Sequence, residues 1–300
     1  MTRPLERGSV PALAGARELA LYERAAHRGA AVVIREYSTS FGLASRLLAP
    51  QIRPEIENIY ALVRVADEIV DGTAAAAGLS IAQQRECLDA MEAETVRALQ
   101  RGYSSDLVVH AFALSARRAG ITAELLSPFF ASMRRDLDPA PFGAEELRDY
   151  IYGSAEVIGL MCLRVFLNGE YINDNERRRL EHGARRLGAA FQKINFLRDI
   201  SADFTALGRR YFPGVDPLAI TEEQKANIVA GIRADLFAAD AVIPRLPASC
   251  RRAIRAASAF FAELTDRVDA TPAAALAGQR VRVPGPQKVR ILAGVLLRSR

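Results

Sequence analysis

The sequence predicts an all-α protein folded as one domain, and three observations carry that reading. Apolar residues recur at spacings of three and four through most of the 300 residues. No stretch alternates apolar and polar residues between hairpin turns. Half of the residues are hydrophobic, enough for a sizeable core, and no linker divides them. Residues 1–300 are therefore expected to form a single domain, with flexible ends at 1–12 and 270–300.

Each element follows from local signals. Residues 14–33 mix Ala, Leu and charge at helical spacing, Tyr37 to Ser40 interrupt them, and a short helix resumes from Phe41 to Leu48. Pro50 and Pro54 mark a boundary before a helix over 55–70, where Ile59, Leu62, Val65, Ala66 and Ile69 form an apolar stripe. GTAAAAG from Gly72 reads as a loop. Helices follow over 81–100 and 105–118, ended by Gly120, with Thr122 as the next cap. Pro139 and Pro141 break the chain before a helix over 144–168, which holds the apolar run EVIGLMCLRVFL and closes at Asn168-Gly169. A long helix over 174–200 precedes a turn at 211–217. Thr221, with Glu223 and Gln224, starts a helix to about 242, and 249–267 forms another. A Pro-, Gly- and Arg-rich stretch at 279–290 leads into ILAGVLL.

Composition removes several classes of function. A net charge of +5, spread over both signs, and the lack of a basic stripe with stacking aromatics argue against nucleic-acid binding. The same mild excess suits an anionic small molecule or an anionic membrane surface. Cys87, Cys162 and Cys250 show no close metal-ligand spacing, which reads as a reduced, cytoplasmic chain. The start MTRPLERGSV lacks the apolar core of a signal peptide, and no apolar run approaches the roughly 20 residues that span a bilayer. His27, His110 and His182 stand far apart and read as surface or polar helix residues.

The local chemistry is concentrated in DEIVD. Asp67 and Asp71 lie four apart on a helix, so both carboxylates share one face about 6 Å apart along the axis. Like charges at that spacing repel, and a bridging divalent cation relieves the repulsion. Mg²⁺ takes hard oxygen ligands and completes its shell with water and phosphates. The spacing recurs at Asp199 and Asp203 in NFLRDISAD, with Gln192 and Asn195 extending that stripe and Arg198 beside it. Arg64 precedes Asp67 by three. A solvated acidic face explains either pair alone; both pairs in these settings favour cations around a diphosphate, with Arg contacts to it. Such a site stabilises a departing diphosphate while an allylic cation develops, and a dry apolar cavity protects that cation. Phe41, Val157, Leu160, Met161 and Leu197 are candidate lining, with ordinary core packing as the alternative for each.

At these residues the chain resembles the squalene/phytoene synthase family of head-to-head prenyl transferases. The resemblance covers most of the chain, in family order: YSTSFGLASRLL (37–48), YALVRVADEIVD (60–71), FFASMRRDL (129–137), YIYGSAEVIGLMCLRVF (150–166), FQKINFLRDISADF (191–204) and GRRYFPG (208–214). The wording is most similar to phytoene synthases of actinobacteria. The resemblance implies an antiparallel helical bundle around a central cavity, the isoprenoid synthase fold. It implies that Asp67 and Asp71, and Asp199 and Asp203 with Asn195, hold the metal. It places Arg64, Tyr60, Gln192 and Arg198 near diphosphate, Ser38, Ser40 and Phe41 in the amino-terminal substrate segment, and Arg209 and Tyr211 at a further diphosphate contact. For Ser40 a helix-cap role is an equal alternative.

The implied reaction is the condensation of two geranylgeranyl diphosphates to phytoene through a cyclopropylcarbinyl diphosphate, dependent on Mg²⁺, with Mn²⁺ as a substitute and NADPH not expected. The alternatives are a dehydrosqualene or squalene synthase using farnesyl diphosphate, or a noncatalytic prenyl-lipid-binding protein; two intact aspartate pairs argue against the last. The expected partners are prenyl diphosphates, with no nucleic acid and no obligate protein. Peripheral contact with the inner membrane face is open to the basic residues Arg280, Arg282, Lys288 and Arg290, an ordinary closing helix being the alternative. Two departures stand out: Glu156 where many relatives have Gly, which needs a partner if buried and is otherwise surface-facing, and Phe260 and Phe261 where relatives often have a tyrosine pair.

Overall fold

Thirteen α-helices make up the regular structure of residues 10–138 and 140–297, which a computed structural model describes. The expectation of a flexible amino end falls, over residues 1–9, outside the described residues. The first half holds α1 (Val10–Tyr37), α2 (Thr39–Ser45), α3 (Arg53–Val70), α4 (Thr73–Ala76), α5 (Ile81–Arg101), α6 (Leu107–Ala119) and α7 (Ala123–Arg135). The second holds α8 (Ala144–Ile151), α9 (Val157–Phe166), α10 (Asp174–Leu207), α11 (Glu222–Asp240), α12 (Ala248–Ala270) and α13 (Gly285–Leu297). Among the described residues there is no strand, and no helix is long and apolar enough to cross a membrane.

Caps set most boundaries. Ser38 accepts a hydrogen bond from the Phe41 N–H at 3.1 Å and so separates α2 from α1. Ser80 with Gln83, and Thr221 with Gln224, form complete capping boxes on α5 and α11. Thr122 stands at the start of α7, but its side chain makes no capping bond. GTAAAAG is not all loop: Thr73–Ala76 forms one helical turn, because alanine costs nothing in a helix. The expected helix over 144–168 is a relay of α8, a π-helical turn at Tyr152–Glu156, and α9. Glu156 does not face the surface. It is buried, and its Oε2 meets Arg185 Nε at 2.6 Å.

Consecutive helices pack on each other at α5 with α6, α9 with α10, α10 with α11 and α11 with α12. α1 packs on α3 and α6, while α10, the longest helix, packs on α9, α11 and α12. Two large apolar clusters result. Leu62, Leu88, Phe112, Phe129, Phe130 and Met161 anchor one, and Ile194, Leu197, Ile232, Leu264 and Val268 the other. α10 approaches α9 and the π-helical turn before it closely at glycines: a Cβ on Gly159 of α9 would lie 2.5 Å from the Ala184 carbonyl oxygen, and one on Gly188 of α10 would lie 2.5 Å from that of Ala155 in the π-helical turn.

Candidate active site

The two clusters do not close on each other. Between them lies a cavity of about 1160 Å³, walled by both. Its apolar part is lined by Phe166, Leu180, Phe191, Leu246, Phe261 and Leu264, among others. Its polar part gathers every residue that the sequence singled out for the site. From α2 and its cap come Ser38, Ser40 and Phe41; from α3, Tyr60, Arg64 and Asp67, with Asp71 directly after it; from α10, Gln192, Asn195, Arg198, Asp199 and Asp203; and beyond α10, Arg209 and Tyr211. Of the five candidate lining residues only Phe41 faces this cavity. Val157, Met161 and Leu197 are buried in the clusters, and Leu160 lines a separate small pocket. Their apolar stripes point at neighbouring helices, the packing alternative weighed for each.

Helix ends place the carboxylates. Asp67 and Asp71 stand at the carboxyl end of α3, and Asp199 and Asp203 in the last turns of α10, and neither helix has a basic residue in its last turn. A helix carboxyl end carries partial negative charge, so acids there cost stability unless cations answer them. Gly208, at φ 70° after α10, turns the chain back on itself. Tyr211 then stacks on Phe196, with centroids 3.8 Å apart, and its hydroxyl donates to Asp203 Oδ2 at 3.1 Å. Arg209, 6% exposed, donates from Nη1 to Asp71 Oδ1 at 2.6 Å and from Nη2 to the Val70 carbonyl at 3.0 Å.

Asp136 was missed by sequence reasoning. Its side chain is 3% exposed, accepts from the Tyr150 hydroxyl at 2.6 Å, and stands 3.6 Å from Arg209 Nε. Asp136 and Tyr150 both line the cavity. A lone acid in MRRDL reads as a surface charge, and nothing local shows that Tyr150 folds onto it.

Arg280, which the sequence left between membrane contact and an ordinary closing helix, pairs with Asp199, Nε to Oδ1 at 2.9 Å, opposite Arg198, whose Nε reaches the same oxygen at 2.9 Å. Lys288 donates to Thr39 Oγ1 at 2.6 Å. Arg282 and Lys288 line the cavity with Arg280. Among the histidines, His110 is fully buried, contrary to expectation: its Nδ1 accepts from the Ser104 N–H at 3.3 Å and its ring packs on Tyr22.

The electrostatics are unbalanced toward the acids of α3. Arg64 reaches Asp67 only at 3.4 Å and also pairs with Glu68. Desolvation, then the Asp71 carboxylate, pushes Asp67 up to about 8. Desolvation pushes Asp136 up to about 7, against the pull of Arg209, and Asp203 up to about 6, with Asp199 adding to the rise. Burial and neighbouring carboxylates thus hold these acids above the ordinary carboxylate range, an imbalance that a bound cation would relieve. The donors suit a hard divalent cation in their chemistry, oxygen atoms with surplus negative charge at two helix ends. They are not drawn into a ready-made cluster: among the described residues no three His, Cys, Asp or Glu side chains stand close enough to hold a metal. Asp71 and Asp199 are tied to arginines instead.

A family description of squalene/phytoene synthase matches residues 34–287. The chain belongs to that family. Phytoene synthase 3 of the Zea mays chloroplast is 31% identical over 212 residues, which are 69% of this chain and 47% of that protein. Phytoene synthase of Mycobacterium tuberculosis is 26% identical over 298 residues, 91% of each. The chain spans about half the length of the first curated relatives it matches. The crystal structure of a dehydrosqualene synthase in complex with ligand superposes with a TM-score of 0.75 at 20% identity, covering 93% of this chain and 98% of that one. That likeness fixes the fold, a single helical bundle of the isoprenoid synthase type.

Proposed function

We propose that this chain is an enzyme that condenses two allylic prenyl diphosphates head to head, with release of diphosphate. The observation that carries the reading is the convergence of two distant aspartate pairs, with Arg64, Arg198, Arg209 and Arg280, on one cavity that is also walled by apolar side chains such as Phe166, Leu180, Leu246 and Leu264. Charged oxygens belong at one end of such a space and hydrocarbon tails at the other. Arg64, Arg198 and Arg209 hold the diphosphates by charge-assisted hydrogen bonds. The Tyr60 hydroxyl, a proton donor at neutral pH whose ordinary value near 10 burial pushes further up, orients a phosphate oxygen. The aromatic wall of Phe41, Phe191 and Phe261 packs the tails and keeps water from the allylic cation. Asp67, Asp71, Asp199 and Asp203, with Asn195, would hold Mg²⁺ or Mn²⁺, which when bound neutralises the charge that builds on the leaving diphosphate. The first condensation expels one diphosphate and one proton and gives a cyclopropylcarbinyl diphosphate; that intermediate loses the second diphosphate, and the rearranged cation loses a proton to give phytoene or dehydrosqualene, or takes a hydride from a reductant to give squalene.

Two chain lengths compete. The geranylgeranyl reading, giving phytoene, draws on curated relatives such as those of maize and Mycobacterium. The farnesyl reading, giving dehydrosqualene, or squalene where a reductant takes part, has the fuller overlay in its favour: the solved dehydrosqualene synthase is matched along nearly its whole length. Purified chain with Mg²⁺ and either diphosphate, with and without NADPH, followed by hydrocarbon extraction, separates these readings. Bound prenyl diphosphate with no hydrocarbon under any condition would overturn catalysis in favour of a binding protein.

A further inference from the structure

α13 is apolar on two faces, and the described residues cover only one of them. Ile291, Leu292 and Val295 pack against Ala44, Ala256, Ala257 and Phe260 of α2 and α12. On the other side, Pro286, Val289, Ala293 and Leu296 are exposed at steps of three, four and three, with Leu297 beside them. Val289, Leu296 and Leu297 are 64%, 45% and 72% exposed. A helix that only closed a bundle would carry polar residues on that stripe.

The charge around the stripe says what covers it. From residue 270 to residue 300 the sequence has six basic residues and no acidic one, which leaves residues 1–269 with 34 basic against 35 acidic. The whole positive excess of the chain is therefore in this segment. Arg280 is taken up by Asp199 and Lys288 by Thr39, but Arg282 and Arg290 are exposed, Arg290 next to Val289. An apolar stripe flanked by unopposed cations complements an anionic bilayer, the side chains entering below the headgroups that the arginines meet.

We infer that the outer face of α13 is a docking surface for an anionic lipid bilayer. Arg282 and Lys288 line the cavity as well, so docking through α13 sets the cavity mouth against the lipid. With the function proposed above, an amphiphilic substrate then passes from the bilayer to the cavity without crossing water.

The test is co-sedimentation of the full chain with vesicles, either phosphatidylcholine alone or phosphatidylcholine mixed with phosphatidylglycerol. Binding is expected to be at least about tenfold tighter to the mixed vesicles and to weaken as salt rises. The variant Val289→Ser/Leu296→Ser/Leu297→Ser should lose at least about tenfold of that binding. Its thermal melt, and any hydrocarbon it forms from detergent-dispersed substrate, should stay at the wild-type level. No preference for the anionic vesicles, or equal binding by the variant, would overturn the inference. So would a wild-type dimer that the variant abolishes, which would assign the face to a second copy of the chain. Vesicle binding is read without turnover, so it stands or falls separately from the enzymatic reading.

Discussion

Arg280 and Asp199, 81 residues apart, form a two-point ion pair: Nε to Oδ1 at 2.9 Å and Nη2 to Oδ2 at 3.0 Å. Arg198 grips the same carboxylate with Nε and Nη2 at 2.9 and 2.5 Å. Two guanidiniums on one acid leave one positive charge in surplus at the mouth of the cavity, and an anionic substrate meets it there. Arg280→Gln should therefore raise the KM for a prenyl diphosphate about tenfold, the scale of one lost charge-assisted hydrogen bond. It should also lower the Mg²⁺ concentration needed for half-maximal rate, because Asp199 is freed. Steady-state kinetics read both, and an unchanged KM would rule out the surplus-charge account.

The acids of the two pairs stand where helix ends already carry negative charge, so removing one relieves the fold while damaging the chemistry. Asp67→Asn and Asp203→Asn should each cut turnover about 100-fold or more, the usual cost of losing a group that stabilises developing charge. Neither should lower the melting temperature. A variant that kept its turnover would show that its acid does not serve the reaction.

The raised acids also give the metal-free chain a pH signature. Asp203, Asp136 and Asp67 hold their protons in the folded chain up to about 6, 7 and 8, whereas the unfolded chain gives them up near pH 4. The folded state thus binds more protons in this window. The stability they contribute is complete below pH 4 and is lost as pH rises through 6 to 8. The melting temperature without metal should fall by roughly 5 °C between pH 5 and pH 8, a loss of about 2 kcal/mol after solvent screening. Asp67→Asn should flatten that slope. A melting temperature that climbs over this range in both proteins would contradict the burial of these acids.

The site was legible wherever its signal is local. Asp67 with Asp71, and Asp199 with Asp203, announce themselves by a spacing that places like charges on one helix face, and Thr221 with Gln224 announces a capping box by the same logic. Asp136 and Arg280 escaped for the opposite reason. Each acts through a partner 14 or more residues away, Tyr150 or Asp199, and helical periodicity does not say which helix a side chain will face. The apolar residues divide in the same way. The 3.6-residue period marks Val157, Met161 and Leu197 as inward, but inward toward a neighbour and inward toward a cavity look alike in sequence. Glu156 shows the limit from the polar side, since only the fold brings Arg185 beside it.

The wall of the cavity depends on how closely α10 approaches α9 and the π-helical turn before it, and glycine sets that approach. A glycine inside a helix normally costs about 0.5–1 kcal/mol relative to alanine. Gly231, exposed on α11 with nothing within 4 Å of its missing Cβ, should follow that rule, and Gly231→Ala should stabilise by about that amount. At Gly159 and Gly188 the Cβ would meet a backbone carbonyl oxygen at 2.5 Å, which no side-chain rotation can relieve. Gly159→Ala and Gly188→Ala should instead destabilise by about 1–3 kcal/mol, since α10 must move away from α9 at the first and from the π-helical turn at the second. Denaturant melts of the three variants give the comparison directly. Because Gly159 and Gly188 also line the cavity, the two destabilised variants should bind prenyl diphosphate more weakly, while Gly231→Ala should bind as the wild type does. Stabilisation at all three positions would mean that α10 does not touch α9 or the π-helical turn at Gly159 and Gly188.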